Sequence, residues 1–254
     1  MKYLIGVFTV SFLFLSSISF SQTLQIDADS LIEKSSLNKF DYQIYMRYPK
    51  FSFGPDALMG VRGIASDMNL LIDSINKEHK RIFTDDLRTM EYNDEFNSMG
   101  TDLTTDYQLV FHLNSFVSIS FLHYEMIAGM AHPLHFSYSF NYDYVNKGLI
   151  SSLDDLFKPG SGYMKFISNY CKQDLKRQAK DNGYTLEKDY LNQGTAINKD
   201  NYKVFTVDDN GVNIIFIVNQ VGPYALGEQT VKIPKDKLTK YIGNDSPLNM
   251  WYKN

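Results

Sequence analysis

Between Leu134 and Tyr144, apolar and polar side chains alternate without a break: Leu134, Phe136, Tyr138, Phe140, Tyr142 and Tyr144 against His135, Ser137, Ser139, Asn141 and Asp143. A period of two belongs to an extended strand, whose successive side chains point to opposite faces. The contrast between the two sets predicts an antiparallel sheet with one buried aromatic face and one wetter face. The same period runs through Leu103, Tyr107, Leu109, Phe111 and Leu113, and again through Val117, Ile119 and Phe121. Such a sheet needs a cover for its apolar face, and the segment from Val61 to about Thr89 offers one. There Ile64, Met68, Leu71, Ile72, Ile75 and Ile82 recur at helical spacing. His79 falls on that stripe and reads as a boundary residue with its hydrogen bonds met.

The flanking segments extend the pattern. A polar lead precedes an aromatic strand over Asn38 to Phe53, bounded by Pro49, Gly54 and Pro55. In the second half, Ser161 is placed to cap a helix from Tyr163 to about Lys180. A hairpin turns at Asp209-Asn210-Gly211. The loop VGPYALGEQ, a short strand TVKIP and a final helix KDKLTKYI follow. This order predicts an α+β protein of two closely packed helix-on-antiparallel-sheet units, residues 22–147 and 148–254, joined at the turn Asn146-Lys147-Gly148.

The N-terminus speaks to location. Lys2 precedes an apolar run from Tyr3 to Leu15, and Ser19-Phe20-Ser21 before Gln22 fits the small-x-small rule of a signal peptide over residues 1–21. The run is shorter than the ~20 apolar residues of a membrane span, so membrane anchoring is not expected. Export to the periplasm or the extracellular space is. Cleavage near Ser21/Gln22 would leave 254 − 21 = 233 residues and remove one lysine, taking the formal charge from −4 to −5. An acidic chain of this kind has no electrostatic footprint for nucleic acid. The single cysteine, Cys171, lies at helical spacing from Tyr163, Phe166, Ile167 and Tyr170. It reads as a small buried apolar residue.

Histidines are the first candidates for chemistry. His132 and His135 stand three apart, with His123 upstream. Positions i and i+3 on a strand face opposite ways and zinc needs three or four converging ligands, so no metal is expected. His135 shares parity with Ser137 and Asn141 and belongs to the wetter face. His132 sits in the loop before the strand, where it can pin the hairpin through backbone hydrogen bonds or face a ligand. The adjacent carboxylate pairs Asp154-Asp155 and Asp208-Asp209 read as turn caps. No nucleophile elbow, P-loop or dinucleotide fingerprint occurs, so no catalytic residue and no cofactor is expected. Tyrosines stack on sugars and anchor interfaces, and Tyr124 at the hairpin mouth and Tyr224 in the GPYALG loop are the contact candidates beside His132.

Particular segments carry a family likeness. They are Tyr48-Pro49-Lys50-Phe51 before the long helix, Gly129-Met130-Ala131-His132-Pro133, Phe140-Asn141-Tyr142-Asp143, Leu153-Asp154-Asp155-Leu156-Phe157, and Val221 to Gly227 before Val231-Lys232-Ile233-Pro234. With these the chain resembles the RsiV-like extracytoplasmic domain family, of largely unknown function, from about residue 40 onward. That family includes the lysozyme-sensing outer domain of an anti-sigma factor and the accessory N-terminal region of a peptidoglycan deacetylase. Family members often carry a second glycine where Met130 stands here. Only Met1 and Lys2 precede the apolar run and the chain closes at Asn254, so the likeness is expected to be to the sensing or accessory module alone. The resemblance implies an exported, non-catalytic binding module of the cell envelope, with a lysozyme-like protein or peptidoglycan as partner. Two other readings stay open: a small hydrolase of cell-wall material using His132 with a carboxylate such as Asp143, and a structural subunit of an envelope complex.

Overall fold

A computed structural model describes residues 23–252, except 56, 58, 97, 98, 114 and 145–147. The signal-peptide segment and the Asn146-Lys147 turn therefore lie outside the described residues. The first sheet opens with a long hairpin, β1 (Leu24–Leu37) and β2 (Phe40–Phe53). Its two-residue turn is Asn38-Lys39, at φ 50° and 69°, the left-handed pair that matches the twist of a tight hairpin. The segment expected as a polar lead is thus a strand. It forms the sheet edge, where charges such as Asp27, Asp29, Glu33 and Lys34 discourage pairing with another chain, and this charge hides its period from a hydropathy reading.

Helix α1 (Met59–Thr89) then crosses the sheet, burying Ala65, Met68, Ile72, Asn76, Phe83 and Leu87. The expected stripe holds at its start and turns away at Ile82, which is exposed, in favour of Phe83. After the helix come β3 (Asp102–Leu113), β4 (Phe116–Met126), β5 (Leu134–Asp143) and the short β6 (Gly148–Leu149), in spatial order β1-β2-β3-β4-β5-β6. The pairing of β2 with β3 is parallel and the others are antiparallel. A bulge between Leu109 and Phe111 breaks the expected face of β3, so Leu109 is exposed while Phe111 is buried.

The second half keeps the expected order of elements, with one addition and with the final helix α-helical only over its first turn. Helix α2 (Tyr163–Asp181) is followed by an unforeseen short helix, α3 (Lys188–Gly194). Strands β7 (Phe205–Asp208), β8 (Gly211–Phe216) and β9 (Gln229–Pro234) form a three-stranded sheet, and α4 (Lys235–Leu238) follows. Ser161 is not the cap of α2. That position is Gly162 at φ 79°, and the Ser161 hydroxyl is buried without a partner among the described residues. The α+β class stands. No described helix is long and apolar enough to cross a membrane.

The wetter face of β4 and β5 is not wet over most of its length. Ser118, Asn141 and Asp143 are each no more than 2% exposed. Asn141 Nδ2 donates to the Phe205 carbonyl (2.8 Å), and Val207 N–H donates to Ser118 Oγ (2.9 Å). Phe205 N–H donates to Ser139 Oγ (3.3 Å), and Ser118 Oγ donates to Asn141 Oδ1 (2.6 Å). The serines and asparagine thus satisfy the outer edge of β7, which among the described residues has no strand paired to it. Polar residues that look like a solvated face are the seam between the two sheets.

Cys171 lies at the core of the second half, fully buried among apolar side chains. Burial, helped by Asp174, holds its thiol far above the ordinary range. The native protein is therefore expected to resist a maleimide at neutral pH and to react with one equivalent after unfolding. Labelling of the folded protein would show the site to be open.

Candidate functional site

Two loops distant in sequence meet at one end of the first sheet. The β4–β5 connection is shaped by Gly129 at φ 99° and by Ala128 N–H donating to Thr101 Oγ1 (3.1 Å). It delivers His132 and Pro133 to the loop that carries Tyr224. The His132 ring lies on the Tyr224 ring, centroids 4.2 Å apart and planes 33° from parallel. The Tyr224 hydroxyl donates to the Pro133 carbonyl (2.7 Å) and lies 3.1 Å from His135 Nδ1. A phenol has one proton, so His135 completes this pair as the Nδ1–H donor. His132 Nδ1 lies 3.2 Å from the same carbonyl and donates to it as well. Both Nε2 atoms are left without a protein partner among the described residues.

Of the two roles open to His132, the geometry shows the bracing one. It braces the loop, yet it is exposed. His135, assigned to the strand face, is drawn into the same clasp. Asp143 is not: it stands eight residues further along β5, roughly 27 Å from His135 at the rise of an extended strand. The His132–Asp143 pair that a hydrolase was expected to use is therefore not assembled. Among the described residues no three histidine, cysteine or carboxylate side chains are grouped to hold a metal ion.

Tyr124 joins the site through strand register. It pairs with His135 on one side and Thr104 on the other; Thr104 pairs with Tyr45, and Tyr45 with Ile32. Directly paired residues share a face, so Ile32, Tyr45, Thr104, Tyr124 and His135 form one row that ends at Tyr224. Ile32, Tyr45 and Tyr124 are all exposed, as is Leu122 in the next row. That next row also holds the Arg47–Asp106 ion pair (2.5 Å). It ends at Ser137, whose N–H and hydroxyl donate to Glu228 (2.5 and 2.6 Å). Here the C-terminal half no longer covers the sheet, and the face is open. Tyr45 and Tyr124 stand two strands apart, about 10 Å. Sequence reasoning found Tyr124, His132 and Tyr224 but not Tyr45, whose exposure depends on β1 and β2 being paired.

Residues 154–236 match the family model described as "Protein of unknown function (DUF3298)". Over 150 residues, 59% of this chain, the sequence is 30% identical to the peptidoglycan-N-acetylmuramic acid deacetylase PdaC of Bacillus subtilis, and the match spans 31% of that enzyme's length. The fold is similar to the crystal structure of a DUF3298 family member from Bacteroides fragilis (TM-score 0.62, 16% identity, 91% of this chain and 98% of that one). It is also similar to one from Pseudomonas aeruginosa PAO1 (TM-score 0.54, 14% identity, 87% and 95%).

Proposed function

Because the chain carries a DUF3298 domain, we propose that it is an exported, non-catalytic module of the cell envelope that binds peptidoglycan on the open face of its first sheet. The observation that carries the reading is the row from Tyr45 through Tyr124 to the His132–Tyr224 stack. Exposed rings at strand spacing, interleaved with Thr104 and flanked by Arg47, Asp106 and Glu228, offer what a glycan strand needs: flat apolar faces for sugar rings and polar groups for their hydroxyls. The relative that acts on peptidoglycan supports the choice of ligand, and the N-terminal apolar run supports export.

Co-sedimentation with purified peptidoglycan tests this. The protein is expected to pellet with it, and Tyr45→Ala and Tyr124→Ala are each expected to weaken binding roughly tenfold, about 1.4 kcal/mol, with melting unchanged. Tyr224→Ala should lose binding and some stability together, since its hydroxyl also holds the Pro133 loop. A wild-type protein that stays in the supernatant sinks the glycan reading. Capture by immobilised lysozyme, lost in the same variants, would transfer the face to a protein partner.

A further inference from the structure

The C-terminal half holds a second recognition feature, remote in sequence from the aromatic row. Between α2, the turn at 182–187 and α3 lies a cavity of about 620 Å³. Its walls include Ala179, Tyr184, Leu186 and Leu191, and its rim carries Lys172, Lys176, Lys180 and Lys188. The first three lysines recur every four residues on one face of α2, so the cationic edge runs about 12 Å along the helix.

These lysines are unspent. Among the described residues none of the four forms an ion pair. The acids nearest on α2 are engaged elsewhere: Arg177 takes Asp174 (2.5 Å) and Asp181 (3.1 Å). Glu187 and Asp189 flank Lys188 in sequence but do not line the cavity. In a chain of formal charge −4, four free cations around one apolar hollow run against the overall balance. Lysine stems add apolar wall while their ammonium heads stay at the mouth.

We propose that this cavity binds an amphiphile with an acyl-type apolar body and a carboxylate or phosphate head. The chain would lie against Ala179, Leu186 and Leu191, and the head would meet the lysines of α2. Neither a bare anion nor a neutral alcohol satisfies both halves of the site. A free fatty acid and a membrane phospholipid share this chemistry, and the experiment separates them.

Calorimetric titration of the full chain with decanoate, below its micelle concentration, is the direct measurement. One saturable site is expected, with decanol binding at least about tenfold more weakly. The double variant Lys176→Gln/Lys180→Gln, both positions exposed, should weaken decanoate roughly fivefold to tenfold. Leu186→Asn should weaken decanoate and decanol alike. Saturable decanoate binding without flotation on phosphatidylglycerol vesicles assigns a free acid. Flotation together with that binding, both reduced in the lysine variant, assigns a lipid source. Equal binding of decanoate and decanol overturns the proposal, as does indifference to the lysine variant. So does vesicle flotation with no decanoate binding, which would make the lysines a membrane-surface patch. The peptidoglycan reading is untouched by any of these outcomes, because no residue is shared between the two sites.

Discussion

Asn141→Leu is expected to lower the unfolding free energy by about 2–4 kcal/mol, a large share of what a domain of ordinary stability has. Asn141 is 1% exposed and serves both halves of the molecule, donating to the Phe205 carbonyl and accepting from Ser118 Oγ. A leucine of similar volume leaves that carbonyl buried without its donor and the Ser118 proton without its acceptor, while Ser118 Oγ still accepts from the Val207 N–H; each lost partner costs about 1–3 kcal/mol. Ser118→Ala alone strands the Val207 N–H and is expected to cost about 1–3 kcal/mol. In combination the two should cost less than their sum, since the serine proton that Asn141 accepts is then absent. Urea titration followed by two probes checks the location of the effect. Trp251 is the only tryptophan, and its Nε1 donates to the Asp208 carbonyl, so its fluorescence reports on the second sheet. Circular dichroism reports on both halves. If the seam couples them, the wild type should unfold in one coincident transition and the Asn141 variant in two that separate. A loss of less than about 0.5 kcal/mol would mean that the seam is held by packing alone.

That seam joins residues whose roles depend on contacts between segments distant in sequence. The alternation from Leu134 to Tyr144 correctly assigns a strand, and its apolar set is core along the second half: Phe140, Tyr142 and Tyr144 are buried, Phe136 and Tyr138 are partly buried, and Leu134 is exposed. The polar set looks solvated because a serine that caps another strand's backbone is the same residue as a serine in water. Only the docking of β7 distinguishes them. The candidate site was legible in part for a related reason. Loop residues His132 and Tyr224 stand out by their local setting, but their stacking joins positions 92 residues apart. Tyr45 stands out only once register places it beside Thr104. Strand β1 escaped because edge strands replace apolar residues with charge. His79 misled more directly. On a helical stripe it reads as a satisfied boundary residue, whereas its Nδ1 is buried without a partner among the described residues.

His79 is not alone in that state, and a strong acid response is the expected result. Between α1 and the sheet, Asn76 Oδ1, His79 Nδ1, Thr105 Oγ1, His123 Nδ1 and the Tyr138 hydroxyl are all buried and unpartnered. The His79 ring stands edge-on to His123 (4.8 Å) and to Tyr138 (4.9 Å), while His123 stacks on Phe136 (4.5 Å) and lies 3.4 Å from Glu125. Burial, with the neighbouring His123 second, lowers the His79 pKa to about 4; Glu125 and Glu78 oppose the shift. In the unfolded chain the same imidazole titrates near 6.5. Between these values the unfolded state binds the proton and the folded state does not, so the stabilisation is complete above about pH 6.5 and is lost as pH falls toward 4. His112, also lowered by burial, acts in the same direction. Asp86 acts in the other: burial first, then the charge of Glu125, raises its carboxyl, so acid favours the fold through that group. Its ordinary range lies lower, as does that of Glu33, which Lys80 holds down, so the window from pH 6.5 to 5 belongs chiefly to the histidines. Urea midpoints should be flat between about pH 7 and pH 8, before the Cys171 thiol of the unfolded chain begins to ionise, and fall through the acid window, with unfolding there taking up about one additional proton. His79→Phe should remove the larger part of the slope, leaving the share of His112. An unchanged slope in that variant would place the acid response elsewhere. Proton NMR keeps the question open to decision if the variant does not fold, since His79 in the wild type should titrate well below 6.5. The consequence reaches the proposed binding face, because His123 and Tyr124 are consecutive residues of β4 pointing to its two sides. Acid that loosens α1 from His123 loosens the strand that presents Tyr124, so ligand binding and α1 packing should fail over the same pH range.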